Sequence, residues 1–170
     1  MNYSILVVDD HKIIRDMLEN TLSREAYTVH CADSAKEALK ILSKESIDVV
    51  ISDEVMPAMT GTEFLAIVRK DYPDTIRIIL TGHASLESAM HAINEGEIYR
   101  FLTKPCNLVD LSVTIRQALQ QKYLKIENKR LAKIVKQQSF SIKEIENKYP
   151  GITKVKRDSE GAIIIDDDND

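Results

Sequence analysis

Short apolar runs alternate with stretches in which apolar residues recur every three or four positions, and the alternation repeats along the first two thirds of the chain. Residues 4–8 (Ser-Ile-Leu-Val-Val) form an apolar run that stops at Asp9 and Asp10. Such a run reads as a strand buried on both faces. Residues 11–23 then carry Ile13, Ile14, Met17, Leu18 and Leu22 at helical spacing. Further short strands are predicted over 27–32, 49–52, 76–80 and 98–103. Between them the period returns to that of a helix. Asp33 or Ser34 caps a helix with Ala35, Ala38, Leu39 and Leu42 on one face. Thr60 caps another, with Phe64, Leu65, Ile67 and Val68 apolar, and Tyr72-Pro73-Asp74 breaks it. Ser85 opens a helix through Leu86, Met90 and Ile93, which Asn94-Glu95-Gly96 ends. A last helix begins near Leu108.

Strands that alternate with helices form a parallel sheet covered on both faces. Right-handed crossovers leave few topologies, and five such units fit the α/β flavodoxin-like strand order 2-1-3-4-5. The last helix outruns this pattern, because no Gly or Pro interrupts residues 108–148. That length suggests a coiled coil. With Leu124 at position d, the d residues are Leu124, Leu131, Gln138 and Ile145, and the a residues are Gln121, Asn128, Val135 and Ile142. An Asn at a favours two parallel strands in fixed register, so a homodimer is expected. Ile126 and Phe140 fall outside the seam, and a single helix packed on its own domain is the alternative. Tyr149-Pro150-Gly151 ends the helix; 152–157 and 162–165 read as a small hairpin, and 166–170 as a solvated acidic tail. The expected organisation is a domain over 1–120, a helical extension over 121–148 and a short terminal segment over 149–170.

Composition narrows the function. A charged fraction of 29% and an apolar fraction of 44% are ordinary for a globular protein. The net charge of −4 offers no basic field, and no basic recognition helix follows the domain, so no direct DNA binding is expected. Cys31 and Cys106 suggest packing residues rather than a disulfide framework or nucleophiles. No apolar run approaches the ~18 residues of a membrane span. No signal peptide is evident, so a cytoplasmic location is expected.

Candidate chemistry collects at the strand ends. In an open α/β sheet, ligands bind at the carboxyl edge. Asp9 and Asp10 end the first strand, Asp53 the third, Thr81 the fourth and Lys104 the fifth. Asp53 alone reads as a turn residue; together the five read as one crevice. Clustered carboxylates repel unless a cation intervenes, and an oxygen-rich site with room for water suits Mg²⁺. Lys104 is expected to pair with Asp53 or with a phosphoryl oxygen, Thr81 to donate to the same oxygen, and Gly82 to leave room for the group. His11, His30 and His91 lack metal-like spacing, and His11 is expected to pair with the acidic pocket rather than bind metal.

These motifs, Asp9-Asp10, Asp53 with Met56-Pro57, Thr81-Gly82 and Lys104-Pro105, resemble the response-regulator receiver domain of two-component signalling over about residues 1 to 120. The resemblance implies that Asp53 accepts a phosphoryl group from a sensor histidine kinase or phosphotransfer protein. It implies Mg²⁺ held by Asp10, Asp53 and the Val55 carbonyl, with Asp9 acting mostly through water. It implies a switch in which Thr81 moves toward the phosphoryl group and Phe101 fills the vacated space. Val55 and His83 occupy positions that flank the attacking water in the family, so a long-lived phosphorylated state is expected. Glu54 is expected to face solvent. The output is then a protein–protein contact with a downstream target, not enzymatic turnover. Alternatives are a regulator whose output is a partner or a further cyclase, phosphodiesterase or transcription domain, and a Mg²⁺-dependent phosphatase. Asp53-Glu54-Val55 lacks the Asp-x-Asp such phosphatases use.

Overall fold

The computed structural model describes residues 3–25, 27–82 and 98–151. Its strands are β1 (Ser4–Val8), β2 (Thr28–Ala32), β3 (Val49–Ser52), β4 (Ile76–Thr81) and β5 (Arg100–Thr103). Its helices are α1 (Lys12–Ser23), α2 (Ala35–Leu42), α3 (Gly61–Asp71) and α4 (Leu108–Lys148). The strands form one parallel sheet in the order β2-β1-β3-β4-β5, the flavodoxin-like order. The helix expected around Leu86, Met90 and Ile93, the hairpin and the acidic tail lie outside the described residues.

Strand alternation divides the core. Successive side chains point to opposite faces. Leu6 and Val8 therefore join Ala38, Phe64, Leu65 and Ile79 on one side, where α2 and α3 pack. Ile5 and Val7 join Leu18, Leu22, Ile51, Leu111 and Ile115 on the other, where α1 and the first turns of α4 pack. Both clusters are closed to solvent. This double burial explains why β1 and β3 lack a polar face in the sequence.

Local signals fix the helix ends. Ser34 caps α2, and its hydroxyl accepts from the Glu37 N–H. Thr60 and Glu63 form a reciprocal capping box at α3. β5 is shorter than its apolar run. Ile98 is buried but precedes the ladder, and Tyr99 joins the sheet through an N–H donated to the Arg77 carbonyl at 2.7 Å. At the opposite edge from the strand ends, Lys122 Nζ lies 2.7 Å from Asp48 Oδ1, while the Ser4 N–H donates to Asp48 Oδ2 at 3.0 Å.

The chain divides into two compact units, Met1–Leu124 and Lys125–Asp170. In the second, the described chain is helix as far as Lys148. Gly151 follows with a φ of 95°, a left-handed value that glycine adopts freely, and its N–H donates to Glu146 Oε1 at 2.9 Å. Leu131, Val135, Ile142 and Ile145 are all exposed on this helix. Among the described residues, no helix is long and apolar enough to cross a membrane.

Candidate functional site

Main-chain bonds carry the sheet one step beyond its strands. The Asp53 N–H donates to the Val8 carbonyl at 2.8 Å, the Asp9 N–H to Ala32 at 3.2 Å and the Lys104 N–H to Thr81 at 2.8 Å. Parallel register thus aligns Asp9, Asp53, Thr81 and Lys104 along one edge. Asp9 and Asp53 are 2% and 6% exposed, so their charges need partners.

Lys104 supplies one. Its Nζ lies 2.6 Å from Asp9 Oδ2 and 3.2 Å from Asp53 Oδ2. The expected Lys104–Asp53 pair is present, but Asp9 is the nearer partner. Burial opposes the Lys104 charge; hydrogen bonding to Asp9 and attraction to Asp9 and Asp53 outweigh it and raise the pKa above the usual value. The second oxygens are also engaged. The Glu54 N–H donates to Asp53 Oδ1 at 2.9 Å, and the His11 N–H donates to Asp9 Oδ1 at 2.8 Å. Arg15 donates to the Asp9 carbonyl.

His11 does pair with the acidic pocket. Its Nδ1 lies 2.8 Å from Asp10 Oδ1 and 3.2 Å from Asp9 Oδ1. One ligand atom from each of Asp9, Asp10, His11 and Asp53 falls within a 4.8 Å spread. Three carboxylates and an imidazole make an acidic cluster able to hold a divalent cation, and the oxygen majority suits a hard ion such as Mg²⁺.

The remaining candidates divide. Thr81 is fully buried at the end of β4. Phe101 is half-buried against the α2–α3 cluster. Val55 is exposed in the loop after Asp53, and Met56 beside it is buried. A Cβ added at Gly82 meets no atom of the described residues within 4 Å, so the space over the strand edge is open there. His83 lies outside the described residues. Cys31 packs in the core, and burial pushes its thiol up to about 11, which suits a packing residue and not a nucleophile.

Glu54 corrects an expectation. Its side chain is half-buried and bonded to α3 rather than simply solvated. Glu54 Oε2 accepts from the Thr62 N–H at 2.9 Å and the Thr62 hydroxyl at 2.8 Å. Its carbonyl accepts the Gly61 N–H at 2.9 Å. The carboxylate is drawn there because the first N–H groups of α3 have no intrahelical acceptor. Gly61 is the residue that the motifs passed over. A Cβ there would collide with the Asp53 carbonyl, so only glycine lets α3 start this close to the strand end. The available signal was a glycine at the first helical position, directly after the Thr60 cap.

Known proteins place this geometry in context. The family model described as "Response regulator receiver domain" matches residues 5–116. The chain is 34% identical over 151 residues to the hydrogenase transcriptional regulatory protein HoxA of Bradyrhizobium diazoefficiens, covering 89% of this chain and 31% of that protein. It is 34% identical over 116 residues to the DNA-binding transcriptional regulator NtrC of Proteus hauseri, covering 68% and 24% respectively. Among solved structures, it is 41% identical, with a TM-score of 0.69, to the signal receiver domain of an HD domain-containing protein from Pseudomonas fluorescens. That match covers 72% of this chain and 98% of the other.

The chain spans about a quarter to a third of the length of these curated relatives. The relatives overturn the expectation of no direct DNA binding, since they are transcriptional regulators and one is DNA-binding by name. The physical reason is one of scope: a net charge of −4 describes these 170 residues only. With the family model covering the sheet from β1 into α4, this chain belongs to the response regulator receiver domain family, whose members are signalling switches rather than classical enzymes.

Proposed function

We propose that Asp53 is the phosphoacceptor of this receiver and that its modification switches a protein-binding surface. One observation carries the reading: Asp53 is nearly buried, yet one of its oxygens lies 3.2 Å from Lys104 Nζ within the cluster formed with Asp9, Asp10 and His11. An Asp53 oxygen attacks the phosphorus of a phosphohistidine on a partner kinase or phosphotransfer protein. A P–O bond forms as the P–N bond breaks, and the released imidazole takes its proton from solvent. Lys104 offsets charge on the transferred group's oxygens, and Asp9 holds Lys104 in reach. Mg²⁺, held by Asp10, Asp53 and the Val55 carbonyl with Asp9 behind them, would supply further neutralisation of those oxygens. Thr81 then donates to the phosphoryl group, and Phe101 repacks against the space it leaves. Val55 offers an attacking water no hydrogen bond, so the acyl phosphate is long-lived.

The seam of Leu124, Asn128, Leu131, Val135, Ile142 and Ile145 joins two copies in parallel. Domain limits follow as 1–120 for the receiver, 121–148 for the stalk and 149–170 for the terminal segment. The names of the relatives favour a second element of the reading, that this receiver regulates transcription as one part of a larger regulator.

The test is chemical. Acetyl phosphate with millimolar Mg²⁺ should add one phosphoryl group to the protein, read by intact mass. Asp53→Asn should remove the addition. Undiminished labelling of the variant would show that the acceptor lies elsewhere.

A further inference from the structure

We propose that His11 supplies a nitrogen ligand to the divalent cation at this strand edge and thereby tilts the site from Mg²⁺ toward Mn²⁺ and later divalent metals. The proposal rests on the reading of the acidic cluster as a metal site.

Spacing is the first support. Around a small octahedral ion with bonds of ~2.1 Å, adjacent ligand atoms stand about 3.0 Å apart and opposite ones about 4.2 Å. His11 Nδ1 stands 2.8 Å from Asp10 Oδ1, the separation of adjacent vertices, and 3.2 Å from Asp9 Oδ1. All four candidate atoms, including that of Asp53, lie within 4.8 Å of one another, somewhat more than the separation of opposite vertices.

Positioning is the second. His11 is the N-cap of α1, with extended backbone angles of −84° and 108°. Its N–H is tied to Asp9 Oδ1, and its carbonyl accepts the N–H groups of Ile14 and Arg15 at 3.1 and 3.2 Å. The main chain on both sides of the ring is therefore fixed. The side chain is 68% exposed, so a ring whose Nδ1 faces the carboxylates can keep its proton on Nε2.

Charge is the third. Asp9, Asp10 and Asp53 contribute −3 and Lys104 contributes +1, which leaves −2 and room for a dication. Mg²⁺ prefers oxygen and sheds its water reluctantly, whereas imidazole suits the first-row transition metals. One nitrogen among oxygens should raise the affinity for those metals and leave that for Mg²⁺ nearly unchanged. The same contacts would also arise if Nδ1 donated a proton to Asp9 and Asp10 as a simple counter-ion, and experiment separates the two.

The experiment uses Mn²⁺ as probe on the full chain at one fixed pH. Electron spin-echo modulation reads nitrogen bound to Mn²⁺ directly. The wild type should show ¹⁴N modulation, converted to the ¹⁵N pattern by histidine labelling, and His11→Ala should abolish it. Titration should show Mn²⁺ affinity falling about tenfold in His11→Ala, with Mg²⁺ affinity changing less than about twofold, as expected for loss of one ligand to a borderline metal. If Mn²⁺ binds and Asp10→Ala weakens it, but the wild type shows no nitrogen modulation, His11 is a counter-ion only and the metal site itself stands. If Mn²⁺ binding is absent, or indifferent to Asp10→Ala, the reading of the cluster as a metal site fails and takes this inference with it. The wild-type spectrum decides the point even where a variant does not fold.

Discussion

Phe64 and Phe140 are the same side chain in opposite circumstances. Phe64, on α3, is fully buried among Leu6, Leu65 and Ile79. Phe140, on the distal part of α4, is 64% exposed. The contrast holds for their neighbours. In the receiver, the large apolar residues of β1, β3 and β4 meet partners within the chain. Beyond Leu119 the apolar residues of α4 stand about half exposed: Leu124 at 53%, Leu131 at 48%, Val135 at 60% and Ile142 at 54%. One region closes its own core, whereas the other carries apolar side chains that a single chain leaves in water. A helix gains most of its stability from burying such a stripe, so the second region is the one whose structure should depend on a partner.

Truncating the two rings should separate the regions most widely. Phe64→Ala should cost about 3–5 kcal/mol in urea denaturation, from lost transfer energy and the cavity left behind. Phe140→Ala should stay within about 0.5 kcal/mol, as surface substitutions do. A comparable loss at Phe140 would mean that a second chain buries it, and that the seam is wider than its a and d positions.

A second substitution tests the pairing itself. In the proposed parallel seam, Leu131→Asp would set two charges against each other, at a cost of about 3–5 kcal/mol for unpaired buried charge. The wild type should sediment as a dimer and the variant as a monomer, with phosphorylation on Asp53 intact. A wild type that is monomeric at tens of micromolar would rule out the seam.

The smallest effect sharpens the contrast at the level of local signals. Thr60→Ala removes half of the α3 capping box and should lower receiver stability by about 1 kcal/mol, read as a shift in the denaturation midpoint. Sedimentation should not change, because α3 belongs to the region that completes itself.

Legibility in the sequence followed the same divide. The ends of β1 and β3 were legible because double burial makes a strand continuously apolar until its first charge. Asp9, Asp53 and Lys104 were legible for the same reason, since parallel strands deliver their terminal residues to one edge. The extent of β5 was not. Ile98 is apolar because the α2–α3 cluster buries it, not because it belongs to the ladder. The preference of Lys104 for Asp9, at 2.6 Å against 3.2 Å for Asp53, was not legible either, because the order of strand ends does not record side-chain reach. Glu54 itself was misread because its partner Thr62 lies eight residues on, beyond any helical or strand period. Gly61 answers to a main-chain oxygen, which no side-chain pattern records.

The clasp made by Glu54 with Gly61 and Thr62 also sets how this part of the gene can change. It holds the two ends of residues 55–60 together through main-chain and side-chain bonds, while Pro57 and Ala58 lie exposed at the tip. Lengthening a loop whose ends are already joined adds little closure entropy, about 0.6 kcal/mol for each doubling. A single methyl at position 61 meets an oxygen that cannot move without moving the strand. Within a few residues, insertion and substitution therefore face opposite odds: the tip accepts added length, and its anchor refuses added volume.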